Sequence, residues 1–184
     1  MNHTSHLLML LLPCLLSMPE PNFGQAVTDL QDRRELFVDQ YLIEKLSNLE
    51  LELHAPHNEG PVLYFDQPWE GHFSAYCTII HDGDLYRVYY RGVREAGADG
   101  RPNEVTCYAE SDDGIEWRKP ELGIFEVNGT KANNVILAHA APVTHNFSPF
   151  IDQNPQADSK QRYKALGGTK KSGLIAFMSA DPVS

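Results

Sequence analysis

Basic residues are scarce in this chain. Lys and Arg number 15 against 25 Asp and Glu, which gives a formal net charge of −10. A duplex-binding surface needs clustered cations, whereas Arg33-Arg34 and Lys170-Lys171 are isolated pairs, so a nucleic-acid partner is not expected. An acidic surface suits a soluble secreted protein acting on a neutral ligand. Long apolar runs are missing too. The run from Leu7 to Leu16 is about ten residues, too short to span a bilayer and the length of the hydrophobic region of a secretory signal. Pro13, Pro19 and Pro21 disfavour a buried helix there, and Gly24-Gln25-Ala26 offers small residues for cleavage. The expectation is a signal peptide over residues 1–26. The mature protein, residues 27–184, is then secreted or periplasmic, with no membrane attachment after cleavage.

Cysteine is nearly absent, with three in all. Cleavage removes Cys14 and leaves Cys77 and Cys107, an even count that invites a disulfide in an oxidising compartment. Strand order argues otherwise. If Cys77 lies on the first strand of a sheet and Cys107 on the third, two strand spacings of about 9.6 Å separate them. A disulfide needs Cα atoms within about 7 Å. Two buried free thiols are expected. The sequence also has no nucleotide-binding glycine loop and no zinc cluster, and its eight His show no metal-ligand spacing. No metal and no cofactor are expected.

What is present is a run of β-hairpin signals. Ser111-Asp112-Asp113-Gly114-Ile115-Glu116-Trp117 describes a turn locked by its own side chains. Asp and Ser oxygens accept from backbone N–H groups, Gly supplies positive φ, and Trp covers the turn. Phe73 to Ile80, Leu85 to Gly92 and Val105 to Glu110 read as strands, with Asp82-Gly83-Asp84 turning the first into the second. Residues 93–104 form a polar loop, and Glu116–Lys119 begins a fourth strand. Upstream, Leu49 to His54 alternates strictly and predicts a strand with one buried face, while Leu36 to Ile43 fits a strand or a helix. No segment from 60 to 130 has a persuasive helical period.

A weak internal repeat follows. Tyr86-Arg87-Val88-Tyr89 is echoed by Tyr163-Lys164-Ala165-Leu166, and Ser111-Asp112-Asp113 by Ser179-Ala180-Asp181. The second copy begins at Ser148-Pro149-Phe150-Ile151 and has a longer polar hairpin loop, Asp152 to Gln161. The alternative is two unrelated hairpins sharing common strand residues. The fold expected is all-β, about two blades of a β-propeller. Propellers have four to eight four-stranded blades, so the chain, ending at Ser184 just after the second Ser-x-Asp, reads as the N-terminal part of a larger protein.

The order Leu36-Phe37-Val38-Asp39, Pro61-Val62-Leu63, Pro68-Trp69-Glu70, Tyr89-Tyr90-Arg91-Gly92 and Tyr108 through Gly123 resembles secreted bacterial proteins related to glycoside hydrolases of families 32, 43 and 68. The similarity covers residues 36–181. The Asn-Asp-Pro-Asn-Gly motif of family 32 is absent, and so is a clear Arg-Asp-Pro. The resemblance implies a partial five-bladed propeller that acts on or binds an oligosaccharide or polysaccharide. The open alternatives are a non-catalytic carbohydrate-binding propeller and an interaction scaffold.

That geometry implies a ligand pocket at one end of the central channel, walled by the loops entering each innermost strand and the loops joining second to third strands. Glu70, His72, Arg91, Arg94, Glu95 and Glu104 of the first blade then lie near the pocket, with His145, Asn146, Lys170 and Lys171 of the second. Asp82, Asp84, Asp112, Asp113 and Asp152 go to the far end as turn-makers. Glycoside hydrolysis needs two carboxylates flanking the scissile bond. Glu70 and Glu104 are the candidates, with Asp39 a third. Each has a structural alternative as a local ion pair, a solvated loop charge or a strand-end residue. His72, Arg91, Arg94, His145 and Asn146 are candidate substrate-binding residues. Trp69 and Tyr76 are candidates to stack on a sugar ring, with the core as their alternative.

Overall fold

A computed structural model describes residues 28–184. The expected signal peptide over residues 1–26, and Cys14 within it, lie outside the described residues. The chain divides into two compact units, residues 1–56 and 57–184. In the first, residues 28–56 carry no helix and no strand. The strand expected at Leu49–His54 does not form, and Leu51 and Leu53 are both exposed. Leu36–Ile43 is neither strand nor helix. Alternation permits a strand but does not make one. The backbone N–H and C=O groups need a neighbouring strand, and these residues have none.

The second unit is all-β. Strands β1 (Ala75–Asp82), β2 (Leu85–Gly92), β3 (Val105–Ser111) and β4 (Val135–Leu137) form an antiparallel sheet in that order. Strands β5 (Ser148–Ile151), β6 (Tyr163–Gly167) and β7 (Ile175–Ser179) form a second, three-stranded antiparallel sheet. Every connection within a sheet joins neighbours. The β1–β2 hairpin closes over Gly83 and Asp84, with Asp82 opposite Leu85. The second sheet carries the second copy of the repeat at the expected places.

Two elements differ from expectation. Glu116–Lys119 contributes only an isolated bridge, Arg118 to Glu110. The fourth strand is Val135–Leu137, which pairs with Thr106 and Cys107. Pro120 lacks the N–H needed to continue the ladder, so the chain leaves the sheet there and returns after Asn133. In addition, β1 carries a bulge between Ala75 and Thr78.

Both faces of the first sheet are covered over β2 and β3, while β1 is buried only at Ile80. Val88, Tyr90, Cys107, Ala109 and Val135 pack with Trp69 and Ala138 on one face. Ile80, Tyr89 and Tyr108 pack on the other, against Ile136, Ile151 and Val183. This double burial explains why β3 is buried at six of its seven positions and reads as a nearly continuous buried strand instead of an alternating one. Cys77 and Cys107 are both free, separated by β2 as expected, but only Cys107 is buried; Cys77 is exposed.

Side chains join the sheets. Asp82, at the end of β1, accepts from Arg87 Nε at 3.1 Å, from Arg162 Nη2 at 2.6 Å and from the Tyr163 hydroxyl. Tyr89 donates its hydroxyl to the Pro182 carbonyl at 2.9 Å. The Ser111 turn forms as the sequence implies. Asp113 Oδ1 accepts from the N–H groups of Ile115 and Glu116, both at 2.8 Å. Ser111 Oγ accepts from Gly114 N–H at 2.8 Å, Gly114 has φ +80°, and Trp117 Nε1 donates to the Gly114 carbonyl.

Candidate functional site

The candidate residues separate into three places. Asp39 belongs to the first unit, where its Oδ1 accepts from the Tyr41 N–H at 2.8 Å, a local turn contact. The others lie in the second unit, around two clefts.

The first cleft, about 400 Å³, is lined by Phe65 to Pro68, Glu70, Gly71, His72 and Arg94. His72 and Arg94 are exposed there. Glu70 is 1% exposed. Its Oε1 accepts from the Tyr90 hydroxyl at 2.5 Å, and its Oε2 from Lys119 Nζ at 2.7 Å and Gln67 N–H at 3.1 Å. The network continues inward. Asn134 Nδ2 donates to the Tyr90 hydroxyl at 2.8 Å, and Asn134 Oδ1 accepts from Trp69 Nε1 at 2.8 Å. Burial is the main reason the Tyr90 hydroxyl is raised far above an ordinary phenol; the neighbouring Cys107 and Glu70 add to it. Both oxygens of Glu70 are therefore occupied by the protein's own donors, and its geometry is that of a hub in the core. Trp69, 8% exposed and bonded to Asn134, belongs to the same core and presents no stacking face.

The second cleft gathers the rest. It is about 640 Å³ and is lined by Tyr76, Asp99, His145, Asn146 and the β6–β7 loop from Gly168 to Leu174. His145 ends a short 3-10 turn, Val143–His145, and is 5% exposed. Its Nδ1 lies 3.0 Å from Glu104 Oε2 and 3.0 Å from Arg91 Nη1. One nitrogen cannot donate and accept at once. Glu104 Oε2 only accepts and Arg91 Nη1 only donates, so Nδ1 bonds Glu104 when it carries the hydrogen and Arg91 when it does not. Nε2 lies 3.7 Å from Asp99 Oδ1. Arg91 is positioned by other contacts, a bond from Nη2 to the Phe73 carbonyl at 2.7 Å and the Tyr76 ring, whose centroid is 4.8 Å from its guanidinium carbon.

Tyr76 is the residue whose placement sequence reading could not supply. It sits in the β1 bulge at φ +56°, a left-handed conformation uncommon for a bulky residue. Bulges re-aim side chains and are enriched beside active sites. Here the bulge leaves the ring about half exposed, tilted against the His145 ring at a centroid distance of 5.1 Å. No local composition in Ala75-Tyr76-Cys77 signals the bulge, which follows from pairing with β2.

Within the second unit the structure thus brings together Arg91, Glu104, His145 and Asn146 with Tyr76, Lys170 and Lys171, and places Glu70, His72 and Arg94 at the other cleft. Among the described residues no group of His, Cys, Asp and Glu is arranged to hold a metal ion. No described helix is long and apolar enough to cross a membrane. Neither a protein-family model, nor a curated protein, nor a solved structure matches the chain.

Proposed function

We propose that this is a secreted carbohydrate-recognising protein, built from blades of a glycoside-hydrolase-type β-propeller, that holds an oligosaccharide or a segment of polysaccharide in the Tyr76–His145 cleft. The propeller reading is supported by the repeated antiparallel meander and by a first sheet covered on both faces over β2 and β3. Secretion is supported by the apolar run near the N-terminus.

One observation carries the assignment to sugar. An aromatic ring held in a strained backbone conformation lines a cleft together with His145, which is backed by the buried Glu104. Strain of this kind costs about 1–3 kcal/mol and gathers at ligand-binding positions. A half-exposed ring beside oriented hydrogen-bonding groups suits a sugar, which has an apolar face and a rim of hydroxyls. Binding is the primary reading, because two-carboxylate hydrolysis needs a free opposing pair and Glu70 is fully occupied. Catalysis is the second reading. His145 lines the cleft with Glu104 and Arg91 both held at its Nδ1, and an oriented imidazole of this kind suits a general base.

Electrophoresis through gels containing polysaccharide tests the proposal. Migration of the full-length protein should be retarded by a binding polysaccharide, and Tyr76→Ala should restore free migration while leaving the melting transition in place. Retardation by a polysaccharide that persists in Tyr76→Ala would place the sugar elsewhere.

A further inference from the structure

The overall charge of −10 favours a neutral ligand, but the charge at the cleft has the opposite sign along one wall. That wall is the β6–β7 loop, whose shape is tightly determined. Gly168 has φ +131°, and a Cβ on it would fall 2.1 Å from the Gly173 carbonyl oxygen, so only glycine fits. Ser172 Oγ accepts from Thr169 N–H at 2.9 Å, and Gly173 N–H closes the turn onto the Thr169 carbonyl at 2.9 Å. Asn146, the neighbour of His145, accepts from Gly168 N–H at 2.8 Å and pins the loop to the cleft floor. Among the described residues its Nδ2 has no hydrogen-bond acceptor.

Lys170 and Lys171 stand on this loop, both exposed and both lining the cleft. Lysines elsewhere in the sheets are used differently. Lys119 pairs with Glu70 and Asp66, and Lys164 pairs with Asp152. Among the described residues Lys170 and Lys171 pair with no carboxylate, as is also true of Lys131 and Lys160, but Lys170 and Lys171 stand side by side and line the cleft. Asp99 lines the same cleft beside His145 with the opposite sign, and its side chain is 78% exposed. The cleft therefore has a basic wall on the loop and an acceptor wall at Asp99 and His145.

We infer that the ligand is an anionic saccharide, with its carboxylate or sulfate substituent held by Lys170, Lys171 and the Asn146 amide, its ring against Tyr76, and its hydroxyls toward Asp99 and His145. The inference rests on the carbohydrate reading above and adds the substrate class to it. Two flexible ammonium groups side by side suit a diffuse anion on a sugar, as point charges without the fixed fork of Arg. A pinned loop reduces the ordering cost of presenting them.

The test is affinity electrophoresis of the full-length protein at low ionic strength against four polymers. Polygalacturonate carries carboxylates, dextran sulfate carries sulfates, dextran is the neutral sugar, and poly-L-glutamate is a polyanion without sugar. The parent protein should bind at least one anionic polysaccharide, and the polymer preferred identifies the substituent. The double variant Lys170→Ala/Lys171→Ala changes two exposed side chains and should fold normally. It should bind that polymer about tenfold more weakly, as expected for two exposed charge pairs, and raising the salt should narrow the difference. Dextran binding as tight as that of the charged polymers, or a double variant equal to the parent, overturns the anionic assignment and leaves the carbohydrate reading standing if Tyr76→Ala still abolishes binding. Poly-L-glutamate binding as tight as the polysaccharides overturns the carbohydrate reading itself. Failure of all four polymers to bind overturns both.

Discussion

Glu70 and Glu104 have nearly the same burial, 1% and 3% exposed, and both head loops that run into the first sheet. Their surroundings differ. Glu70 accepts from Tyr90, which Asn134 ties into the core, and from the half-buried Lys119 and Gln67. Glu104 has one side-chain hydrogen-bond partner, His145, and His145 lines an open cleft. Burial of a carboxylate therefore does not mark a functional site by itself. The useful distinction is whether the partners lead inward to more protein or outward to solvent. A saturated network raises rigidity, and a network with one free end can act on a ligand.

Stability measurements should separate the two residues most strongly. Glu70→Ala removes three accepted hydrogen bonds and leaves the partly buried Lys119 with the exposed Asp66 as its remaining carboxylate, beside the Tyr64 carbonyl. Loss of one partner of a buried ion pair costs about 3 kcal/mol or more. Glu104→Ala removes one partner of the His145 Nδ1, which keeps Arg91 Nη1 at 3.0 Å, and should cost about 1 kcal/mol. Urea denaturation of both variants reads the difference directly. Equal losses would mean that the two carboxylates play the same structural role.

The contact between the sheets offers a pH-dependent form of the same contrast. Burial alone would raise the Asp82 carboxyl, but hydrogen bonds from Tyr163, Arg162 and Arg87 outweigh it and hold the group below the usual carboxylate range. A carboxyl with a depressed folded pKa contributes stability that is present above the unfolded value, about pH 4. That contribution is lost as pH falls through the folded value. Asp113 and Asp152 are lowered as well, by backbone hydrogen bonds first in Asp113 and by Lys164 first in Asp152. Stability should be flat with respect to these groups above about pH 5 and should fall below about pH 4. Asp82→Asn should lower the plateau and make the acid decline shallower. An unchanged decline in that variant would assign the acid sensitivity to the exposed aspartates.

Much of the fold could be read along the chain, and the reasons are local. The Ser111–Trp117 turn was legible because its hydrogen bonds run between residues two or three apart. The β1–β2 and β2–β3 hairpins were legible from their turn residues and apolar strands. The fourth strand was not. Val135-Ile136-Leu137 is three residues long, and its pairing with Thr106 and Cys107 is a long-range choice. Leu49–His54 failed in the opposite way, with a strong local pattern and no partner strand. The cleft was half legible. Arg91, Glu104, His145 and Asn146 could be named because the expected meander sends their loops to one end of the sheets. That Glu70 is enclosed and Tyr76 presented depends on Lys119, Tyr90 and a bulge, none of which shows in the neighbouring sequence.

Tyr76 allows the smallest effect to be the most discriminating. In an ordinary strand, replacing Ala by Gly costs roughly 0.5–1 kcal/mol because glycine loses more chain entropy on folding. At φ +56° the order should reverse. Both Tyr76→Ala and Tyr76→Gly lose the ring and its contacts with Arg91 and His145. The alanine variant keeps a Cβ in the left-handed region, which disfavours it by about 1 kcal/mol, while the glycine variant is relieved of that strain. Tyr76→Gly should therefore be the more stable of the two by roughly 1 kcal/mol or slightly less, with entropy offsetting part of the relief. Both variants should lose carbohydrate binding equally. Paired thermal melts resolve this difference, since a loss of 1 kcal/mol shifts the midpoint of a domain this size by roughly 2–8 °C. If alanine proves more stable than glycine, the backbone at Tyr76 is an ordinary strand, and the ring is not held at the cleft at the expense of local stability. If the predicted order holds and both variants fail to bind, the protein tolerates a strained backbone at the one position where the ring meets its ligand.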